Sequence, residues 1–204
     1  MSKIKKNSAE TKWDKSSISF KNYQNYINKK EDKFKLTLID LLYISNFKGG
    51  NATTHEPEDT IEEKLKFYTD ILIKIDNKFK DKELAELNNN EVEELWILIE
   101  KICNLTNKNL KTKIDGFSVS YLSALLNAYF TKLIPILDRR ILINMKLVES
   151  KDLYKSKQVK DIFTFYKSLI LKMKKESETT KQSIRDIDYK YFIMQIDKNI
   201  YINN

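Results

Sequence analysis

Apolar side chains return at helical intervals along most of this chain. After Phe20, residues Tyr23, Tyr26 and Ile27 fall on one side of a helix. Phe34 to Phe47 is an apolar run holding Leu36, Leu38, Ile39, Leu41, Leu42, Tyr43 and Ile44; it reads as a buried helix, although periodicity alone leaves a strand open. Ile61, Leu65, Tyr68, Leu72, Ile75 and Phe79 step by three and four, the stripe of a long amphipathic helix. Pro57 followed by Glu58 and Asp59 marks its start, with acids at the positive end of the helix dipole. A further helix is predicted from Glu91 to Leu105 through Leu95, Trp96, Leu98, Ile99 and Ile102. Tyr121 to Phe130 places Leu122, Leu125, Leu126 and Tyr129 on one face, with Ser123 and Ala124 small enough for close packing. Residues 157–175 and 184–196 form the last two predicted helices, joined by a polar linker from Lys174 to Ser183.

The punctuation between these stretches is sparse. Three glycines and two prolines in 204 residues predict long helices and exclude an all-β chain, which needs far more turn chemistry. The expected fold is an all-α bundle, single or two-lobed, over residues 20–204. Residues 1–19, Lys- and Ser-rich with Trp13 as the large apolar anchor, are expected to form a flexible basic arm.

Charge adds a partner class. The formal net charge is +8, unevenly spread: residues 1–35 carry +6, 36–100 carry −8, 101–142 carry +5 and 143–182 another +5. Basic blocks on both sides of an acidic one favour a polyanion such as DNA, although a chain with 34 Lys and 3 Arg also fits a general lysine bias. The single cysteine, Cys103, excludes an internal disulfide and a cysteine-only metal or iron–sulfur site, and fits a reducing cytoplasm. No metal site is expected, because His55, the one histidine, stands in a polar stretch without a second ligand. Nor is a membrane partner expected, since no run of about 18 apolar residues occurs.

Two segments carry candidate chemistry. Ser45 to Asn51 is a loop by composition, where Gly49 and Gly50 would let backbone amides approach a phosphate beside Lys48 and Asn51; a plain interhelical loop is the other reading. Ile114 to Ser120 reads as the end of one helix, a tight turn at Gly116 and the first turn of the next, with Lys113 adding a cation on its flank. Amides at such a helix start attract anions. Leu133-Ile134-Pro135-Ile136-Leu137-Asp138-Arg139-Arg140 follows that next helix. Arg139 and Arg140 offer forked donors for phosphate or partners for the acidic block, and Asp138 suits a helix N-cap.

These residues resemble the helix-hairpin-helix DNA glycosylases. The turn at Gly116-Phe117-Ser118-Val119 is similar to that family's Leu-Pro-Gly-Val-Gly hairpin, and Pro135-Ile136-Leu137-Asp138 looks like its run ending in the catalytic aspartate. The interval from Ser120 to Asp138 matches the adenine glycosylase branch without a gap, Ser120 standing where bifunctional members carry a Schiff-base lysine. Ser118 replaces the second hairpin glycine, Asp115 replaces the usual proline, and that branch's iron–sulfur cysteines are absent. The resemblance implies duplex DNA with a flipped base as partner, Asp138 as the catalytic carboxylate with Ser120 beside it, and phosphate contacts from Gly116, Phe117, Ser118 and Val119. It further implies no cofactor beyond a monovalent cation at the hairpin, and base removal rather than strand cleavage. A non-enzymatic DNA-binding module and a helical protein-interaction domain are the competing expectations.

Overall fold

The computed structural model describes residues 8–50 and 54–201. Among the described residues eight α-helices run in chain order: α1 (Ser8–Ile27), α2 (Leu38–Phe47), α3 (Glu58–Phe79), α4 (Asn89–Asn104), α5 (Val119–Tyr129), α6 (Arg139–Asn144), α7 (Tyr166–Thr180) and α8 (Ile184–Ile193). Among the described residues there is no strand, only an isolated antiparallel bridge between Leu153 and Val159. The chain is all-α.

The long predicted stripes are buried where their spacing placed them. Ile61, Leu65, Tyr68, Leu72, Ile75 and Phe79 face inward from α3 and meet Leu95, Ile99 and Ile102 of α4. Helix α5 is enclosed almost throughout, including Ser123 and Asn127, and α1 and α2 both pack on it. One continuous apolar core joins residues from all eight helices. The run from Phe34 to Phe47 is helix only from Leu38, where Thr37 and Asp40 form a capping box (the Thr37 amide donates to Asp40 Oδ2 at 2.8 Å); Phe34 to Leu36 lie in the turn and extended chain before it. Asp40 is completely buried and also accepts from Tyr23, Tyr129 and Lys30, so the cap of α2 anchors α1 and α5 as well.

Three expectations change. The arm predicted over residues 1–19 is helical from Ser8 onward, since α1 begins there, and Trp13 packs on Tyr189 and Phe192 with ring centroids 5.3 and 5.4 Å apart. Residues 1–7 lie outside the described residues. Residues 157–161 are not part of α7: Asp161 has a left-handed backbone (φ 39°), and a 3-10 turn over Ile162–Phe165 leads into the helix. The polar linker after Lys174 is instead the second half of α7, where Ser177 remains buried and Lys174 pairs with Glu178 one turn on. The helix ends at Lys181, whose φ of 60° cannot continue it.

Candidate active site

Helix α5 builds the platform for the Pro135–Asp138 segment. Ser120 Oγ donates to the Leu137 carbonyl at 3.0 Å, Ser123 Oγ accepts the Leu137 amide at 2.9 Å, and Asn127 Nδ2 donates to the Ile134 carbonyl at 2.7 Å. From the other side the Tyr166 hydroxyl donates to the Pro135 carbonyl at 2.9 Å. An extended segment has no internal hydrogen bonds, so these side chains satisfy its backbone and fix where it delivers Asp138. Ser120, expected beside the catalytic carboxylate, has its hydroxyl on the Leu137 carbonyl, one residue before Asp138.

Asp138 is the N-cap of α6. Its Oδ1 accepts the Arg140 amide at 2.8 Å, and its Oδ2 lies 3.4 Å from the Lys48 ammonium. The carboxylate is half-buried, with 23% of its side chain exposed. Loss of water alone would raise its pKa; the Lys48 charge, the Arg140 amide and Lys12 outweigh that and hold it below the ordinary value. Asp138 is therefore an anion at neutral pH.

It stands in a small cleft of about 60 Å³ whose wall is made by Lys12, Trp13 and Ser16 of α1, Phe47 and Lys48 at the end of α2, Ile136, Ile141 of α6, and Arg185, Asp188 and Phe192 of α8. Arg185 is layered between aromatic rings, its Cζ 4.1 Å from the Trp13 centroid and 4.7 Å from that of Phe20. Asp188 has no exposed surface. Its nearest charge is Arg185 Nη1 at 3.8 Å from Oδ2, and neither carboxylate oxygen accepts a hydrogen bond. Burial first of all, with Asp138 nearby, pushes the Asp188 pKa up to about 7 against the opposing pull of Arg185 and Lys48. The cleft thus holds two carboxyl groups shifted in opposite directions, a pattern that separates acid from base roles in enzymes.

The other candidate residues divide. Lys48, singled out for the glycine loop, is brought to Asp138 across the cleft. Gly49 and Gly50 take positive φ (104° and 73°) and close the turn after α2 by donating to the Asn46 and Ser45 carbonyls. Asn51 lies outside the described residues. Arg140 is committed elsewhere than to phosphate: its Nε donates to the Phe192 carbonyl at 2.8 Å and its Nη2 to that of Met194 at 2.9 Å, tying α6 to the end of α8. Arg139 Nη1 donates to the Lys157 carbonyl at 2.8 Å.

The hairpin region is also a partial correction. Gly116 turns with φ 75°, and α5 starts directly afterwards with Ser118 as an exposed N-cap that makes no side-chain capping bond. Residues 105–118 ahead of it are a chain of turns rather than a helix. Phe117 is buried against Tyr68 and belongs to the core, and Val119 is half-buried; the phosphate contacts expected of this turn are those of its backbone amides. Lys113 Nζ donates to the Ile114 carbonyl at 2.7 Å. Glu56, which pairs with Lys64, accepts the Asp115 amide at 2.6 Å, so a carboxylate of the chain already sits on one amide of the turn. His55 is exposed, as its polar surroundings predict.

In the sequence, Arg185-Asp186-Ile187-Asp188-Tyr189 reads equally as an internal ion-pair network or as a site, and nothing there joins it to Asp138. Arg185, Asp188 and Phe192 follow α-helical spacing of three and four, which on sequence alone looks like an ion pair on an amphipathic helix. The one available signal was an acid on the apolar side of that helix, in line with Ile184 and Ile187. Comparison of the chain with family models, with curated proteins and with solved structures gives no match.

Proposed function

We propose that the chain is a DNA-binding hydrolase of the glycosylase kind, which removes a modified or mismatched base by cleaving its N-glycosidic bond. The observation that carries this reading is Asp138: an ionised, half-buried carboxylate fixed at a helix start and facing an aromatic-walled cleft. Breaking an N-glycosidic bond builds positive charge on the sugar. A fixed anion there stabilises that charge and orients the attacking water, and its catalytic value comes from being held in place beforehand. Lys48 and the Arg140 amide supply that fixation. The uneven positive charge of the flanking blocks is suited to a phosphate backbone. The cleft, about 60 Å³, is far smaller than typical small-molecule pockets of ~300 Å³ or more, so base entry requires its aromatic wall to part.

The test is base release from duplexes carrying a panel of damaged, mismatched and modified bases. Wild type is expected to release one of them, and Asp138→Asn to lose release by about 100-fold or more while DNA affinity is kept. The second reading is a DNA-binding module without chemistry, favoured by the capping bond to the Arg140 amide, which accounts for a carboxylate at 138 by itself. Salt-sensitive DNA binding without release of any base in the panel would support it; the absence of DNA binding at low salt would overturn both.

A further inference from the structure

Asp188 is the one described carboxylate with both oxygens buried and without a hydrogen-bond partner, and it lines the same cleft as Asp138. A buried carboxyl left open on every side is costly unless something in the native cycle uses it. A purely structural acid would be met by donors, as Asp40 is by two tyrosines, a lysine and a backbone amide. Here the surroundings are mixed. Arg185 of α8 is close in charge but too far to hydrogen-bond, Lys48 at the end of α2 is paired with Asp138, Lys12 of α1 lines the same cleft, and the buried Tyr166 of α7 is also near in charge. On the outer face of α8, Lys190 and Tyr191 are taken by Glu176 of α7. None of these supplies a hydrogen bond to Asp188.

We infer that Asp188 is the proton donor of the cleft, handing its proton to a ring nitrogen or carbonyl of a heterocycle that enters beside Asp138. This rests on the function proposed above for the nature of the reaction, and on the cleft geometry alone for the contact. In the reaction the C1′–N bond breaks, its electron pair passes to the base, and the base takes the Asp188 proton to leave as a neutral heterocycle. The positive charge left on the sugar faces Asp138. Water then adds at C1′ and gives up its proton to Asp138 and on to solvent. The Asp188 carboxylate produced is held by the Arg185 charge until it is reprotonated, so the sum is hydrolysis with no other reactant.

Two readouts test this. In single-turnover base release followed from about pH 5 to about pH 9, the wild-type rate is expected to fall tenfold per pH unit above about 7. Asp188→Asn, which has the same shape and no proton to lend, is expected to be slower by about 100-fold or more and to lose that alkaline fall, with DNA affinity unchanged. Asp138→Asn is inactive across the range. An Asp188→Asn enzyme that keeps the wild-type rate and profile overturns the inference. The second readout is binding of free adenine and guanine, followed through Trp13 fluorescence in a Trp96→Phe background. Their affinity is expected to weaken above about pH 7 in the wild type and to be independent of pH in Asp188→Asn. If no base is released but this pH-dependent binding is present and lost in Asp188→Asn, the donor contact stands and the glycosidic reaction does not. If neither is seen, both fall.

Discussion

Asp138 and Asp188 share a cleft yet respond to pH in opposite senses, and the signs follow from what surrounds each. Asp188 holds its proton in the folded state up to about pH 7, whereas an unfolded aspartate loses it near 3.9. Between about pH 4 and 7 the native state therefore binds the extra proton, and stability from this residue falls as pH rises, by at most ~1.4 kcal/mol per pH unit. Urea unfolding at a series of pH values should show this decline in the wild type and its absence in Asp188→Asn. Asp138, with its pKa lowered, contributes stability that is present above the ordinary aspartate value and lost as pH falls through its folded value. The neutral substitution Asp138→Asn keeps the cap, whereas Asp138→Ala is expected to cost about 1 kcal/mol of stability. Comparing the unfolding of the two variants separates capping from chemistry. Asp40 is the structural counterpart: removing a carboxylate that five donors surround in the core, as in Asp40→Ala, should destabilise by about 3–5 kcal/mol and be visible in the same assay.

At the scale of elements, α6 and α8 are joined by polar side chains as well as by packing. Arg140 donates to the Phe192 and Met194 carbonyls, and Asn144 Nδ2 donates to that of Tyr191 at 2.7 Å. These are the carbonyls a helix C-terminus leaves without partners. Arg140→Ala is expected to cost about 1.5–3 kcal/mol, the range for hydrogen bonds to a charged donor, and to raise amide exchange over residues 184–196 before the rest of the molecule. Helices α3, α4 and α5 were legible in the sequence because each has a stripe of buried positions several turns long. The start of α7 was not, because Val159 and Ile162 fit the helical period by chance while the left-handed Asp161 interrupts it. The hairpin was legible only in part. Gly116 revealed the turn, but nothing in the local spacing of Leu105 to Lys113 distinguishes successive turns from a helix end. Asp138 and Lys48 were each readable as candidates; their meeting was not, since 90 positions separate them and only the packing of α2 on α5 brings them together.

The whole molecule distributes its charge in blocks, the acidic one largely in α3 and α4 and the basic ones before and after it. If the basic blocks serve a phosphate backbone, log affinity for duplex DNA should fall linearly with log salt, at a slope set by the number of phosphates neutralised. A titration at several salt concentrations measures it. The substitution Lys12→Gln should flatten the slope by about one unit if Lys12 meets a phosphate, and leave it unchanged if it serves only to hold Asp138 ionised. No helix among the described residues is long and apolar enough to cross a membrane.

Trp13 lies against Arg185, about 170 positions away along the chain, so one wall of the cleft exists only where α1 meets α8. Of the eight described helices α8 is the last in the chain, and until it is present Asp138 has neither Arg185 nor Asp188 beside it. Closing so long a loop is among the slowest of folding contacts. A chain that lacks either α1 or α8 therefore lacks one wall of this cleft, and with it the partners that face Asp138 there.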